Sequence, residues 1–238
     1  MTHTQKTAVV TGASGGIGAA TARALAADGF TVIIGARRLD RLREVATDIG
    51  ATAFELDVTD DASVAAFSEQ IDRVDVLVNN AGGAKGLNPL EDTTLDQWRW
   101  MYDTNVLGTV RVTTALLPKL RATRGLVVNL GSKAALDPYE GGSGYNAAKH
   151  ALKALTRVTR LEEITRGSGV RVTEIDPGRV ETDFSLIRFD GDAERARKVY
   201  ADKLNLTAED VAEAIRWVAS LPGHVNIDTM NIMPADQG

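Results

Sequence analysis

Short runs of apolar, mostly β-branched residues alternate with longer amphipathic segments, and this alternation restricts the possible folds more than any other feature. The apolar runs predict seven strands, at residues 7–12, 31–36, 51–56, 74–80, 125–132, 170–176 and 228–233. The segments between them predict helices at 17–28, 40–49, 60–71, 94–119, 143–166 and 207–220. Strands without polar alternation are typical of a sheet that is buried on both faces. The sequence therefore predicts an α/β fold, a seven-stranded parallel sheet with helices on both faces, in a single domain over residues 1–238.

The composition argues against several classes of function. The 238 residues, 44% of them hydrophobic and 25% charged, are enough for a sizeable core. Cysteine is absent, which excludes disulfides, zinc–thiolate sites and thiol catalysis, and we expect no metal. The net charge of -5 argues against nucleic acid as a partner. No apolar run is long enough to span a membrane and the N-terminus lacks a signal-peptide pattern, so we expect no membrane partner and a cytoplasmic location.

The loop after the first predicted strand, TGASGGIG at 11–18, is rich in glycine and leads into the first helix. Gly12 permits a tight turn, and Gly16 and Gly18 let the backbone approach a pyrophosphate and let the helix pack on the sheet. Free N–H groups and the positive end of the helix dipole favour phosphate at that position. A strand before the loop and a helix after it favour dinucleotide binding over a plain turn, and make the predicted doubly wound fold Rossmann-type.

The end of the second predicted strand, IIGARR at 33–38, bears on which dinucleotide binds. An acidic residue there holds the ribose 2′-hydroxyl of NAD, whereas an arginine suits the 2′-phosphate of NADP. Gly35 and Ala36 are followed at once by Arg37 and Arg38, whose guanidinium groups match a phosphate. The sequence therefore predicts NADP(H), with two solvated arginines at the start of the next helix as the alternative.

Tyr145 and Lys149, four residues apart in SGYNAAKH, share one face of a predicted helix. A free tyrosine, with a pKa of about 10, is a poor base near neutrality, but a nearby cation lowers that pKa. The pair is a candidate for proton transfer, although by itself it is also compatible with a core tyrosine and a surface lysine. Ser132 lies at the end of the fifth predicted strand, where ligands of open α/β sheets bind, and is suited to hydrogen-bond a substrate oxygen.

Seven motifs in order make the whole chain resemble the short-chain dehydrogenase/reductase family. They are the glycine loop at 11–18, DV at 57–58, NNAG at 79–82, Asn105 in NVLG, Ser132 in NLGS, the Tyr145/Lys149 pair and PGRVET at 177–182. The resemblance implies an NADP-dependent alcohol dehydrogenase or carbonyl reductase with a small-molecule substrate. It also implies a homo-oligomer, a tetramer or at least a dimer, with helices 94–119 and 143–166 at the interface.

The same resemblance implies roles for the matched positions. Catalysis is expected from Asn105, Ser132, Tyr145 and Lys149, with Asn105 holding a water that connects the lysine to solvent. Cofactor contacts are expected from Gly12, Ser14, Gly16, Ile17, Gly18, Arg37, Arg38, Asp57, Val58, Asn80, Ala81, Gly82, Tyr145, Lys149, Pro177, Gly178, Val180 and Thr182. Many NADP-dependent relatives carry a basic residue where this chain has Gly15, which would leave the arginine pair to discriminate alone.

The C-terminal third resembles, more narrowly, the NADP-dependent 3-hydroxy acid dehydrogenases, which oxidise serine, allo-threonine and related short acids. A carboxylate substrate needs a cation in its pocket. Arg179 lies shortly before, and Arg188 within, a charged, irregular segment at 184–206 that is predicted to be a mobile lid, and both are candidates for that cation. Each of them is, taken singly, also compatible with an exposed arginine. Ser132 and Tyr139 are expected to contribute to the same pocket.

Three other functions are weighed against this one. A general carbonyl or ketone reductase would share the motifs without the hydroxy-acid pocket. An NADP(H)-sensing regulatory protein would bind nucleotide without turnover, but such proteins usually lose the tyrosine or the lysine that this chain keeps. A nucleotide-sugar epimerase or dehydratase is disfavoured, because only about sixty residues follow Gly178, fewer than a typical separate substrate domain.

Overall fold

A computed structural model describes residues 5–238 and contains a seven-stranded parallel sheet of order β3-β2-β1-β4-β5-β6-β7. The strands are β1 Thr7–Thr11, β2 Thr31–Ala36, β3 Thr52–Glu55, β4 Val76–Asn79, β5 Leu126–Leu130, β6 Arg171–Pro177 and β7 Thr229–Ile232. Each strand overlaps its predicted range. The expected doubly wound α/β fold is therefore confirmed.

Helices cover both faces of this sheet. They are α1 Gly16–Ala27, α2 Leu39–Ile49, α3 Asp61–Glu69, α4 Leu95–Tyr102, α5 Gly108–Thr123, α6 Ser143–Arg166, α7 Phe184–Arg188, α8 Ala193–Tyr200 and α9 Ala208–Ser220. Successive strand residues point into the cores on opposite faces of the sheet. Val10 packs with α1, α2 and α9, whereas Val9 packs with α3 and α5. This explains the absence of polar alternation in the strands. None of the helices described is long and apolar enough to cross a bilayer.

The sheet reverses its strand order between β1 and β4. From β1 the chain builds outward through β2 and β3, then returns to add β4 on the other side of β1. Loops that leave the carboxyl ends of β1 and β4 diverge at this point. A crevice at such a reversal is where ligands of open α/β sheets bind.

The helix predicted at 94–119 is wrong in its continuity, because a π-helical segment at Asp103–Leu107 separates α4 from α5. Asn105 lies in this segment, and its amide Nδ2 donates to the Met101 carbonyl at 2.7 Å. A side chain that bonds a carbonyl one turn back competes with the backbone ladder, which favours such a bulge. The sequence placed Asn105 in an ordinary helix interior, and the structure corrects that.

The segment at 184–206, predicted to be irregular, contains α7 and α8 instead. Asp192 caps α8 by accepting a hydrogen bond from the Arg195 N–H at 3.0 Å. Two contacts hold the segment against the loop after β4: Lys85 pairs with Asp190, and the Gly86 N–H donates to the Arg188 carbonyl at 2.9 Å. The segment therefore covers the carboxyl ends of the strands.

Candidate active site

A cavity of about 760 Å³ opens at the carboxyl ends of the strands. Most positions predicted to contact cofactor or substrate line it: Gly12, Ser14, Gly16, Ile17, Arg37, Arg38, Asp57, Val58, Asn80, Ala81, Gly82, Ser132, Tyr139, Tyr145, Lys149, Pro177, Gly178, Arg179, Val180, Thr182 and Arg188. Gly18 and Asn105 are not among the lining residues. The structure thus brings segments from the whole length of the chain to one crevice.

The glycine loop forms one end of the cavity, where Gly12 has a φ of +66°. A Cβ on Gly12 would lie 2.9 Å from the Asn80 amide nitrogen and from the Ala81 Cα, so only glycine fits. Asn80 Nδ2 donates to the carbonyls of Thr11 and Gly12, which pins the loop to β4. Gly18 departs from the expected cofactor contact, because it packs against Asn80 and Gly12 rather than facing the cavity.

Hydrogen-bond donors gather around this end of the cavity. Helix α1 begins without a side-chain cap, so its first N–H groups are available to a ligand. Arg38 donates from Nε and Nη2 to the Ser14 hydroxyl, at 3.2 and 3.1 Å. Burial opposes ionisation of Asp57, but hydrogen bonds from Thr59 and the charge of Arg37 outweigh it and lower the pKa of Asp57. These donors and the glycine backbone fit a dinucleotide that carries several phosphate groups.

Tyr145 and Lys149 lie one turn apart on α6, with 8% and 6% of their surface exposed. Burial raises the pKa of Tyr145, whereas a hydrogen bond with Ser132 and the charge of Arg188 lower it. Lys149 Nζ lies 5.7 Å from the centre of the tyrosine ring and donates to the Leu130 carbonyl at 2.7 Å. In this structure Arg188 supplies the positive charge that acts on the phenol, while Lys149 is directed to the backbone, so the expected effect of Lys149 on the phenol stays a prediction.

Asn105 anchors the loop after β4 instead of facing the cavity. Its Nδ2 donates to the Gly83 carbonyl at 2.9 Å and to the Met101 carbonyl at 2.7 Å, and its Oδ1 accepts from the Gly83 N–H at 3.2 Å. The side chain is 1% exposed. Both amide hydrogens are thus used by backbone carbonyls, and the expected water-holding role of Asn105 stays a prediction.

Arg179 is not a free cation. Its Nε donates to the Asn205 Oδ1, and its Nη2 donates to the Leu204 carbonyl and to Asp236 Oδ1, at 2.8 to 2.9 Å. These bonds tie the loop after β6 to the end of the 184–206 segment and to the C-terminal residues. The expectation that Arg179 binds a substrate carboxylate is corrected, because Asp236 already neutralises it.

Arg188, unlike Arg179, is buried without a carboxylate partner among the described residues. It is 7% exposed, and its Nη2 donates to the Tyr139 hydroxyl. The guanidinium carbon lies 5.3 Å from the centre of the Tyr145 ring and 4.9 Å from that of Phe184. Its buried Nε has no hydrogen-bond partner, and no carboxylate of residues 5–238 forms an ion pair with it. A buried positive charge without a counter-ion is therefore held beside the tyrosine.

Comparison with known proteins identifies the family. The model of the short chain dehydrogenase family matches residues 6–190. The chain belongs to the short-chain dehydrogenase family. It is 59% identical to an uncharacterized oxidoreductase of Mycobacterium tuberculosis, over 98% of this chain and 92% of the relative. It is 41% identical to the NADP-dependent 3-hydroxy acid dehydrogenase of Salmonella typhi, over 96% and 95%.

A solved structure described as the closed form of serine dehydrogenase complexed with NADP⁺ is also similar. It matches with a TM-score of 0.94 at 38% identity, over 98% of this chain and 96% of the other. The family predicted from the seven motifs and the predicted fold are both confirmed. Within residues 5–238, this short-chain dehydrogenase contains no cluster of three or more metal-ligating side chains.

One group of site residues in this short-chain dehydrogenase was missed by the sequence reasoning. Behind the cavity, Asn79 Nδ2 donates to Asn129 Oδ1 at 2.8 Å, and Asn129 Nδ2 donates to the Thr156 hydroxyl at 2.9 Å. Glu174 and Asp176 lie next to this row of hydrogen bonds and are 1% and 0% exposed. The signal for them is present in VTEID at 172–176, where two acidic residues stand in a strand that is predicted to be buried.

Proposed function

We propose that this protein is an NADP-dependent oxidoreductase that oxidises the hydroxyl group of a short 3-hydroxy acid, such as serine or allo-threonine, and catalyses the reverse reduction. The observation that carries the proposal is the guanidinium of Arg188, which is buried beside Tyr145 and has no carboxylate partner among the described residues. A 3-hydroxy acid supplies both a carboxylate for that charge and a hydroxyl for the tyrosine. The names of the Salmonella typhi relative and of the NADP⁺-bound serine dehydrogenase support the same substrate class.

The donors of the cavity support NADP(H) as the cofactor. When bound, NADP⁺ accepts hydride from the alcohol carbon, and NADPH returns it to a carbonyl carbon. The N–H groups at the start of α1 would hold the pyrophosphate, because they are uncapped and carry the positive end of the helix dipole. Arg37 and Arg38 would hold the 2′-phosphate, since positions 35 and 36 are Gly35 and Ala36 and carry no acidic side chain that would repel it.

Four side chains have separate roles in binding and converting the substrate. The Arg188 guanidinium binds the carboxylate and orients the molecule. The Ser132 hydroxyl donates to the substrate oxygen, and the Tyr145 phenolate takes the proton of the substrate hydroxyl. Lys149, with a pKa lowered by burial to about 8, is charged at neutral pH and favours the phenolate once its partners rearrange around the ligands. Asn105 fixes the loop after β4 that faces these groups.

Residues 184–206 are proposed to be the lid of this site, within one domain that spans the chain. Arg188 belongs to α7 in that segment, so closure of the lid brings the carboxylate-binding charge to the tyrosine. The contact of Lys85 with Asp190 would hold the lid in its closed arrangement. A substrate that neutralises Arg188 would stabilise the closed lid, because it removes the unfavourable burial of a lone charge.

A homodimer or homotetramer is proposed for the assembly. Helix α6 exposes Val158, Leu161 and Ile164, with 50%, 45% and 60% of their surfaces accessible, and Val110 on α5 is 37% exposed. Burial of such a surface between subunits is favourable by about 25 cal/mol per Å². Light scattering should show an oligomer that Leu161→Glu dissociates and that Leu90→Glu, at an exposed position of a short 3-10 helix, leaves intact; a monomeric wild-type protein would contradict the proposal.

The activity is tested by initial rates of nicotinamide reduction. L-Serine, L-allo-threonine, 3-hydroxyisobutyrate and 3-hydroxypropionate are each assayed with NADP⁺ and with NAD⁺, beside a neutral secondary alcohol. Turnover of the acids with NADP⁺ is the expected result. Turnover of the neutral alcohol alone would refute the hydroxy-acid assignment and favour a general carbonyl reductase, and no turnover with tight NADPH binding would favour the sensing function.

The role of Tyr145 is tested with Tyr145→Phe, which keeps the ring and removes the proton-transferring hydroxyl. Turnover should fall by about 10²- to 10⁴-fold, the usual contribution of a general acid–base group. NADPH binding, followed by fluorescence, should be unchanged. Tyr102→Phe, at an exposed tyrosine on α4, is the matched control and should keep full activity.

A further inference from the structure

Two carboxyl groups, Glu174 and Asp176, lie on one face of β6 directly behind the proposed catalytic residues. Asp176 Oδ1 accepts a hydrogen bond from the Ser132 backbone N–H at 2.9 Å. Both carboxyl groups converge on Gly131, where an added Cβ would lie 1.9 Å from Asp176 Oδ1 and 2.8 Å from Glu174 Oε1. The chain therefore leaves space at position 131 for these two groups.

The pair lacks one hydrogen-bond donor. Glu174 Oε1 and Asp176 Oδ2 are buried, and neither has a partner among the described residues. The two side chains lie within hydrogen-bonding reach of each other, yet two carboxylates are both acceptors and cannot bond. One proton shared between them supplies the missing donor and removes the repulsion between two buried charges.

The titratable groups whose charges couple to the pair come from α6. They are Lys149 and Lys153, whose charges act on Asp176, and Tyr145, on which the Asp176 charge acts. The strand neighbours in register, Asn129 on β5 and Thr229 on β7, contribute no charge. The negative charge of the pair therefore acts mainly on the lysines, and Lys149 is the buried one, at 6% exposure.

We propose that Glu174 and Asp176 are positioning residues that share one proton, that their remaining negative charge holds Lys149 in its ammonium form, and that Asp176 fixes the Ser132 backbone. The inference rests on the roles proposed above for Lys149 and Ser132. Burial and the neighbouring carboxylate raise the pKa of Glu174 to about 8, which agrees with a proton retained at neutral pH. Burial alone would favour the neutral amine of Lys149, and the charges of Glu174 and Asp176 oppose that effect.

The shared proton is tested by infrared spectroscopy of the cofactor-free protein at pH 7. The wild-type protein should show the C=O stretch of a protonated, buried carboxylic acid. Glu174→Gln and Asp176→Asn should each lose that band, because a single carboxylate with an amide neighbour has no need of the proton. Absence of the band from the wild-type spectrum, or its persistence in both variants, would overturn the proposal.

The effect on Lys149 is tested by NMR titration of ¹³Cε-labelled lysines, again without cofactor or substrate. The Lys149 midpoint should fall by about one pKa unit or more in the double variant Glu174→Gln/Asp176→Asn, with the Glu174→Gln single variant in between. Lys119, whose Nζ donates to the Ser68 carbonyl on another face, is the internal reference and should not move. An unchanged Lys149 midpoint would refute the role of the charge.

Both substitutions are isosteric, and the amide oxygen that Asp176→Asn introduces can still accept from the Ser132 N–H. If the double variant fails to fold, the infrared band in the two single variants still decides whether the proton is shared. Neither experiment requires turnover. The proposal of a shared proton can therefore be refuted while the proposed activity is confirmed, and the proposed activity can be refuted while the shared proton is confirmed.

Discussion

Replacement of Arg188 by Gln should abolish most of the preference for acids without damaging the chemical step on neutral alcohols. A guanidinium that binds a carboxylate through two N–H groups makes two charge-assisted hydrogen bonds, each contributing about 1.5–3 kcal/mol. The loss of about 3–6 kcal/mol corresponds to a reduction in kcat/KM of about 10²- to 10⁴-fold. The upper part of this range is expected, because Arg188 is 7% exposed and has no carboxylate partner among the described residues.

The assay compares kcat/KM for a 3-hydroxy acid with that for a neutral alcohol of the same carbon skeleton. Arg188→Gln should lower the first value by the factor above and the second by less than about tenfold, since the charge of Arg188 also lowers the pKa of Tyr145. Arg188→Lys should recover part of the loss, because it keeps the charge but not the two-pronged geometry. Arg197→Gln, at an exposed arginine of α8, is the matched control and should change neither value.

An equal loss for the acid and the neutral alcohol would refute this reasoning. It would mean that Arg188 acts on Tyr145, whose ring centre lies 5.3 Å from the guanidinium carbon, and not on a substrate carboxylate. Thermal unfolding of each variant, followed by circular dichroism, separates a local effect from a loss of structure.

Three further predictions concern the cofactor and the stability of the fold. Arg37→Ala/Arg38→Ala should weaken NADPH binding by about 10²-fold or more while NADH binding stays the same, as fluorescence titration would show; equal losses would exclude recognition of the 2′-phosphate. Glu163→Gln should lower the free energy of unfolding by about 1–2 kcal/mol at pH 7, because Arg121 loses a carboxylate partner at 2.5 Å. Since the pKa of Glu163 is lowered from 4.5, this contribution is complete above pH 4.5 and is lost as the pH falls through the lowered pKa; urea titrations that give equal differences at pH 7 and pH 3 would contradict it. Gly131→Ala should destabilise by about 1–3 kcal/mol, seen as a lower Tm, because the new Cβ would overlap the β6 carboxylate, and an unchanged Tm would contradict that close approach.

Local patterns in the sequence predicted the elements that begin or end at residues with a strong local preference. Helix α6 runs from Ser143 to Arg166, as predicted, because Gly167 ends it in a left-handed conformation. The interruption between α4 and α5 was not predictable in the same way. It depends on the Asn105 amide, which bonds both a carbonyl one turn back and the distant backbone of Gly83.

In the site, too, local sequence signals were predictable and contacts between distant segments were not. The glycine loop, the arginine pair and the order of the catalytic motifs are contiguous or ordered features, and they were sufficient to predict the family and a nucleotide cavity. The buried acids of β6 also left a trace in the sequence, since two charges in an apolar strand need partners. Their neighbours on α6, however, become neighbours only when helix and strand pack together.

The sequence by itself determined the order of the functional motifs along the chain: where a nucleotide loop begins, which tyrosine and lysine share a helix face, and which family these motifs match. It could not distinguish Arg179 from Arg188, which look equivalent as charged residues near a lid. Only the tertiary structure decided between them, because the Arg179 partners Asn205 and Asp236 lie 26 and 57 residues away in sequence, whereas Arg188 is buried among aromatic rings. Whether a charge is neutralised depends on long-range packing, and packing also decides which charge remains available to a ligand.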